Sequence, residues 1–336
     1  LHAFAMSRYS GLWVAFKVLS ETVDSSASVY IDPDRVEIHT PTDFVLPPDG
    51  VHIRWPDDWL GQERRVVTLK QPAALAYWRA NRLDRLAMGR PDARFGIVTV
   101  GKSYLDVRQA LDDLGIDEKR AGALGIRLYK LGCTWPIEPE GLKEFARGLE
   151  LIICVEEKRS LVEVQVKEEL YGAPSPPVVV GKRDEKGDWL FPVKAALDTN
   201  EIAIAIGERV LRFHAADAEV ARHVSRLRQA QARLAEAQEA AARTPYFCSG
   251  CPHNSSTKVP DGARAYAGIG CHYMVQWMDR STEGFTQMGG EGANWIGEAP
   301  FSKRPHVFQN IGDGTFNHSG SMAIRGKKLL KSFGSL

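Results

Sequence analysis

The chain has almost no net charge: 43 Lys and Arg against 42 Asp and Glu leave a formal +1. A balance so close to neutral gives no long-range attraction to nucleic acid or to an anionic membrane surface, and neither is expected as a partner. Cysteine is sparse. Five cysteines in 336 residues, an odd number with three clustered, fit a reducing compartment and metal binding better than a disulfide framework. No apolar run approaches the roughly 20 residues that span a bilayer. The start lacks the basic flank and apolar stretch of a signal peptide, and it lacks an initiator Met, so a piece of a longer polypeptide is expected. There is no internal repeat. What remains, 25% charged and 44% hydrophobic residues, is the composition of a soluble protein long enough for two or three domains.

The pattern along the chain divides it. Apolar residues at Leu12, Val14, Ala15, Val18 and Leu19 predict a helix over residues 11–23, followed by an extended segment, Ala27-Ser-Val-Tyr-Ile31. Residues 32–70, rich in Pro, Asp and Gly, read as a connector. From about 92 to 181 short β-branched runs alternate with amphipathic stretches. Strands are predicted at Phe95-Gly-Ile-Val-Thr-Val100, Ile126-Arg-Leu-Tyr-Lys-Leu131, Leu151-Ile-Ile-Cys-Val155 and Pro177-Val-Val-Val180. Helices are predicted over 103–114, capped by Ser103 with Asp106 in the capping box, and over 140–149 and 160–170. This alternation is that of a parallel sheet covered by helices. A polar stretch then leads to Ile202-Ala-Ile-Ala-Ile206. An Ala-, Gln- and Arg-rich helix over 216–242 follows, with a narrow stripe at Val220, Val224, Leu227 and Leu234, which reads as a surface linker.

Gly96-Ile-Val-Thr-Val-Gly101-Lys102-Ser103 matches the spelling of a phosphate-binding P-loop. In such a loop the strand precedes the first glycine and the four intervening residues wrap the phosphates. Ile, Val, Thr and Val are stiff strand formers, so the match is read as a strand that ends in a tight turn at Gly101.

The chemistry lies between residues 248 and 320. Cys248-Ser-Gly-Cys251-Pro-His253 is followed by Gly268-Ile-Gly-Cys271-His272, then Met288-Gly289-Gly290-Glu291-Gly292, then Gly312-Asp313-Gly314. Three cysteines admit zinc with His253 or His272 as fourth ligand, a redox pair, or a [4Fe–4S] cluster. Cys133 and Cys154 lie in or beside predicted strands and read as buried small apolar residues. Phe308-Gln-Asn-Ile311 is a strand end, and Asp313 falls where a strand yields to a helix, the edge at which open α/β sheets bind ligands. Clustered glycines allow close backbone approach to such a ligand. His272 and His318 lie beside these motifs. No catalytic residue is assigned.

Taken in order, these four motifs resemble the thiamine-diphosphate-dependent 2-oxoacid:ferredoxin oxidoreductases, in particular long single-chain bacterial indolepyruvate ferredoxin oxidoreductase. Gly101-Lys-Ser-Tyr-Leu-Asp-Val-Arg-Gln-Ala-Leu, Tyr129-Lys-Leu-Gly-Cys-Thr-Trp-Pro-Ile-Glu-Pro-Glu and Val155-Glu-Glu-Lys-Arg-Ser-Leu resemble the same family. The resemblance implies an α/β fold: a parallel-sheet, transketolase-C-terminal-like domain followed by an incomplete thiamine-diphosphate-binding α/β domain. The implied division is 1–70 (tail of an upstream pyrimidine-type domain plus connector), 71–181, 182–243 (excursion and linker helix) and 244–336. It further implies that Asp313 ligates Mg²⁺ on thiamine diphosphate, with Gly312 and Gly314 shaping the loop and Gly289, Gly290 and Gly292 approaching the cofactor. Cys248, Cys251 and Cys271 would ligate a [4Fe–4S] cluster. The implied reaction is oxidative decarboxylation of an aryl 2-oxoacid to an acyl-coenzyme A, electrons leaving through the cluster to ferredoxin, in a cytoplasmic homo-oligomer.

The resemblance also has gaps. The glutamate that activates the cofactor, the second Mg²⁺ ligand and the fourth cluster cysteine are expected outside these residues. The short basic run 326–336 departs from the family pattern, as a truncated or frameshifted reading frame would. The alternatives are a non-catalytic fragment folding only in its first sheet, or a zinc-bearing interaction module.

Overall fold

The protein is described by a computed structural model covering residues 1–236 and 244–332. Two compact units, Leu1–Ala237 and Gln238–Leu336, divide it.

In the first unit the opening helix is His2–Ser10, not 11–23. Gly11 ends it in the left-handed region at φ 69°, and only a single turn, Ser20–Val23, follows. The spacing of residues 12–19 is helical, but no core lies beneath it: Trp13 and Phe16 are exposed. Periodicity without burial does not hold a helix. Ala27–Ile31 pairs with no strand among the described residues and is likewise exposed. The connector reading fails at its far end, where Trp59–Arg65 continues through a π-helical turn, Val66–Lys70, into the helix Gln71–Ala80. Asp58 caps this run by accepting from the Gly61 N–H at 2.5 Å. Pro72 has no N–H to give the preceding turn and its ring crowds the carbonyl there, which accounts for the widened turn.

Five strands form the first sheet: β1 (Arg85–Met88), β2 (Phe95–Val100), β3 (Ile126–Leu131), β4 (Leu151–Val155) and β5 (Val178–Val180), in the order β1-β3-β2-β4-β5. β2 to β5 are parallel, and β1 closes one edge antiparallel to β3. The alternation of β2 explains the layering. Ile97 enters a core with Leu111, Leu114, Ile202 and Ile206, while Val98 enters a second core with Leu142, Phe145 and Ile152 on the other face. The sheet is therefore buried on both sides, as its unbroken apolar runs predict.

Several sequence expectations shift at helix ends. The helix after β2 is Lys102–Asp113, with Gly101 at its N-cap and no side-chain cap. Ser103 is buried rather than capping, and Asp106 takes Lys102 Nζ at 3.0 Å instead of completing a capping box. Ile202-Ala-Ile-Ala-Ile206 lies in a helix, Thr199–Phe213. The helix Ala218–Glu236 packs against it. Val220, Val224 and Leu227 are core residues, whereas Leu234 is exposed, so the first half of this helix is interior rather than linker. Its predicted end, 237–242, lies outside the described residues. Cys154 is buried in β4. Cys133, expected to be buried, is only half-buried in the turn after β3, with Sγ donating to Trp135 O at 3.4 Å. Burial pushes both thiols above the usual cysteine range.

The second unit holds three strands, β6 (Ala265–Ala267), β7 (Thr282–Phe285) and β8 (Phe308–Gln309), in the order β7-β6-β8, all parallel. β6 lies at the centre and is fully buried.

Gly96 shows why the P-loop spelling is a strand. It pairs with β3 and β4, and a Cβ there would stand 2.5 Å from Leu149 Cδ1 and 2.9 Å from Phe145 Cζ. Gly96→Val is expected to destabilise the first unit by about 1–3 kcal/mol through overpacking. A urea unfolding midpoint unchanged by the substitution would contradict this packing.

Candidate functional site

Parallel pairing sends every chain segment that follows a strand out of the same edge of a sheet. In the second unit those segments are 268–272 after β6, 286–292 after β7 and 310–313 after β8. Three of the motifs singled out in the sequence thus share one edge. β6 connects to β7 on one side, whereas β8 lies on its other side, so the crevice between β6 and β8 is the point at which strand order reverses. The loops there are in contact: a Cβ on Gly312 would lie 3.7 Å from both His272 Cε1 and Ile269 O.

Gly312 is the N-cap of the helix Asp313–His318. Asp313 is exposed at its first turn, and a Cβ on Gly314 would meet nothing within 4 Å. The glycine turn after β7 is more constrained. Gly289 and Gly292 have φ of 91° and 89°, and Glu291 reaches back with Oε2 to accept the Gly289 N–H at 2.7 Å. Around this edge several buried polar atoms have no partner among the described residues: His272 Nε2, Thr286 Oγ1, Glu291 Oε1, Asn310 Nδ2 and Ser319 Oγ. Buried polar groups are normally paired, so this crevice is suited to a polar ligand. The residues fit the diphosphate end of a cofactor in this respect: an open glycine loop, a hard carboxylate in Asp313, and unanswered donors behind it.

The cysteine segment is built differently. Cys248 and Cys251 lie in one turn, Cys251 N–H donating to Cys248 O at 3.0 Å. Cys251 Sγ lies 3.1 Å from His253 Nδ1. His253 stacks between Phe247, at 5.1 Å, and His272, at 5.9 Å. Arg280 clamps the segment from the β7 side, donating to Thr257 Oγ1 at 2.8 Å while lying over the Phe247 ring. Cys271 opens the 3₁₀ turn Cys271–Trp277 next to His272. The stacked histidines therefore bring the two cysteine segments side by side. Three free thiols are the right donors for a soft metal, but among the described residues no three His, Cys, Asp or Glu side chains converge on a point.

Of the two histidines, His272 is buried and His318 exposed. Burial holds the His272 imidazole below the usual histidine range; His253 adds to this and Glu291 opposes it. Sequence reasoning named Glu291 only as a letter between glycines and passed over Arg280. The available signal was an acid inside a glycine cluster, where open backbone offers it N–H groups.

At the carboxyl edge of β2, by contrast, Lys102 of the P-loop spelling is taken by Asp106 at 3.0 Å and Glu157 at 3.5 Å. A lysine so held has no charge left for a phosphate.

Fold and site together define an α/β protein with a polar ligand crevice at the switch point of a parallel sheet. Residues 85–234 match the family model described as an indolepyruvate oxidoreductase domain. The indolepyruvate oxidoreductase subunit IorA of Thermococcus kodakarensis is 26% identical over 256 residues, aligning 70% of this chain with 36% of that protein. IorA of Pyrococcus horikoshii is 40% identical over 79 residues, 24% of this chain and 11% of that protein. Residues 85–234 therefore resemble an indolepyruvate oxidoreductase domain, and the chain spans about a third of the length of such relatives. A 2-oxoglutarate:ferredoxin oxidoreductase from Magnetococcus marinus, solved with 2-oxoglutarate, coenzyme A and succinyl-CoA bound, aligns at TM-score 0.32 and 13% identity, over 49% of this chain and 25% of that one. The fold assignment rests on strand order, not on that superposition.

Gly289→Ala, in a left-handed conformation with Ser319 Oγ 2.9 Å from the added Cβ, is expected to cost about 1–2 kcal/mol. Gly314→Ala, in open space, is expected to change stability by less than about 0.5 kcal/mol. Thermal unfolding of the two variants separates the constrained glycine from the open one.

Proposed function

We propose that this chain is the part of an indolepyruvate-type 2-oxoacid:ferredoxin oxidoreductase that holds the diphosphate end of thiamine diphosphate and carries three of the cysteines for an iron–sulfur cluster. The observation that carries the reading is the convergence of three motif-bearing loops on one parallel-sheet edge lined with unpartnered buried polar atoms. The match of residues 85–234 to an indolepyruvate oxidoreductase domain, and the similarity to IorA, support it.

Thiamine diphosphate, when bound, supplies the nucleophile and electron sink for decarboxylating a 2-oxoacid. The chain's own residues supply position. Asp313 would hold Mg²⁺, a hard cation that prefers carboxylate oxygen. Gly312 and Gly314 leave room in front of it. Gly289, Gly290 and Gly292 let the backbone approach the cofactor from the β7 side. Cys248, Cys251 and Cys271 would be three ligands of a [4Fe–4S] cluster, although no three such donors converge among the described residues. Ferredoxin as acceptor, coenzyme A as acyl acceptor, an aryl 2-oxoacid as substrate and a cytoplasmic homo-oligomer belong to the same proposal. So does the division into 1–70, 71–181, 182–243 and 244–336. No helix among the described residues is long and apolar enough to cross a membrane.

The contact between Cys251 Sγ and His253 Nδ1 favours a second reading, in which the same segment binds zinc as a structural knuckle. Anaerobic reconstitution followed by metal analysis decides between them. About four irons with matching sulfide per chain, lost in Cys248→Ser, is the expected result; zinc without sulfide would replace the cluster reading with the knuckle. Asp313→Ala is expected to weaken Mg²⁺-dependent thiamine diphosphate binding at least about tenfold, read by tryptophan quenching. Unchanged binding would remove Asp313 from the metal site.

A further inference from the structure

Two buried side chains in the second unit are only half answered. Glu291 is 1% exposed and His272 3% exposed. Glu291 uses Oε2 to accept the Gly289 N–H, while its Oε1 and His272 Nε2 have no hydrogen-bond partner among the described residues. Both atoms border the same point. A Cβ on Gly268 would stand 2.9 Å from Glu291 Oε1, 2.7 Å from Glu291 Cγ and 3.0 Å from His272 Nε2. The missing side chain at residue 268 is what lets carboxylate and imidazole come together. A bare buried carboxylate oxygen is costly, and the His272 imidazole across Gly268 stands beyond direct hydrogen-bond distance, where one water can bridge the two.

His272 in turn borders the third loop, since its Cε1 lies 3.7 Å from where a Cβ on Gly312 would stand. Its other side is backed by the His253 ring. The pair therefore sits where the loops after β6, β7 and β8 meet.

We propose that Glu291 is the positioning residue of this crevice: Oε2 pins the glycine turn 289–292, and Oε1 is joined to His272 Nε2 by a hydrogen-bonded bridge through one water over Gly268. Glu291 thereby fixes the Gly312–Asp313 loop through His272 without touching the cofactor. The inference rests on the reading that thiamine diphosphate and Mg²⁺ bind at this edge.

The test is a double-mutant cycle on the full chain, with thiamine diphosphate titrated in the presence of Mg²⁺ and followed by tryptophan quenching. Glu291→Gln has one carbonyl oxygen, which can serve Gly289 or His272 but not both. It is expected to weaken binding about threefold to tenfold. His272→Ala removes the same shared bond and is expected to do likewise. Their combination is expected to be no weaker than the worse single variant, because the bond can be lost only once. Gly268→Ala, which would wedge the pair apart, is expected to match them.

Losses that multiply in the double variant would overturn the coupling, as would binding within about twofold of the parent in Glu291→Gln. The isosteric Glu291→Gln keeps the measurement open should truncations at 291 fail to fold. Absence of quenching in the unsubstituted chain would instead remove the cofactor reading, and the inference with it. Quenching in the parent with additive or silent variants removes only the role of Glu291.

Discussion

Parallel pairing of β6 with both of its neighbours is the constraint on which the second unit depends. Antiparallel strands would send alternate loops to opposite ends of the sheet. Parallel strands send every following segment to one end, so the loops carrying Cys271, the glycine turn and Asp313 have to meet there. The cost is that each crossover must be long and must find its own packing. Here that packing is thin. The buried apolar residues described in this unit are few and mostly small, with Tyr266 and Phe247 the largest. Polar contacts and stacking carry more of the local order than they do in the first unit. Arg280 on Phe247, His253 between two rings, and Glu291 on a backbone N–H are the main examples.

The first unit shows what the same topology looks like when its core is complete. Two apolar layers, one on each face, bury β2 to β4. Two charged groups that enter this interior are fully answered, although Asp84 Oδ2 and Arg209 Nε are left without partners among the described residues. Arg127 donates to the carbonyls of Arg90, Pro91, Phe145 and Arg147. Glu156 accepts the N–H groups of Leu161, Val162 and Glu163, at 2.9 Å each, and so caps the helix Val162–Leu170. Buried charge with full partners stiffens a fold, whereas buried charge with a vacant valence points to something still to be bound.

Much of this was legible in the sequence where local and long-range signals agree. The strands β2, β3, β4 and β5 are continuous β-branched or apolar runs, and all four fall within a residue of their predicted bounds. The short strands β6 and β7 were not legible: Ala265–Ala267 has no β-branched residue, and Thr282–Phe285 contains a glycine and a glutamate. Their state is set by pairing partners distant in the chain, which no local pattern reveals. The helix Trp59–Arg65 was hidden for the opposite reason, as its proline- and aspartate-rich approach masks a start that Asp58 caps. At the site, residue types were readable but their relations were not. That His253 and His272 would stack, or that Glu291 would face His272 across Gly268, follows from the meeting of three loops and from no spacing within any one of them.

The chain offers two strand-order reversals, and their chemistry differs in a way that bears on the proposed ligand site. At the β2–β4 reversal, the glycine–lysine–serine turn looks like a phosphate site in spelling. Its lysine is nevertheless neutralised by Asp106 and Glu157, and the nearby Lys182 is spent on the carbonyls of Glu156 and Pro192. Two carboxylates in front of a helix N-terminus repel an anion that the helix alone would attract. At the β6–β8 reversal the balance is inverted. The loops are glycine-rich, Asp313 stands free of any ion pair among the described residues, and the polar atoms behind it lack partners. A carboxylate at that position would repel a diphosphate unless a divalent cation lay between them. In the proposed function, the same Asp313 that argues against a bare anion is therefore the reason to place a magnesium-bound one there. Topology alone would permit either edge; the charge distribution is the reason for proposing the second.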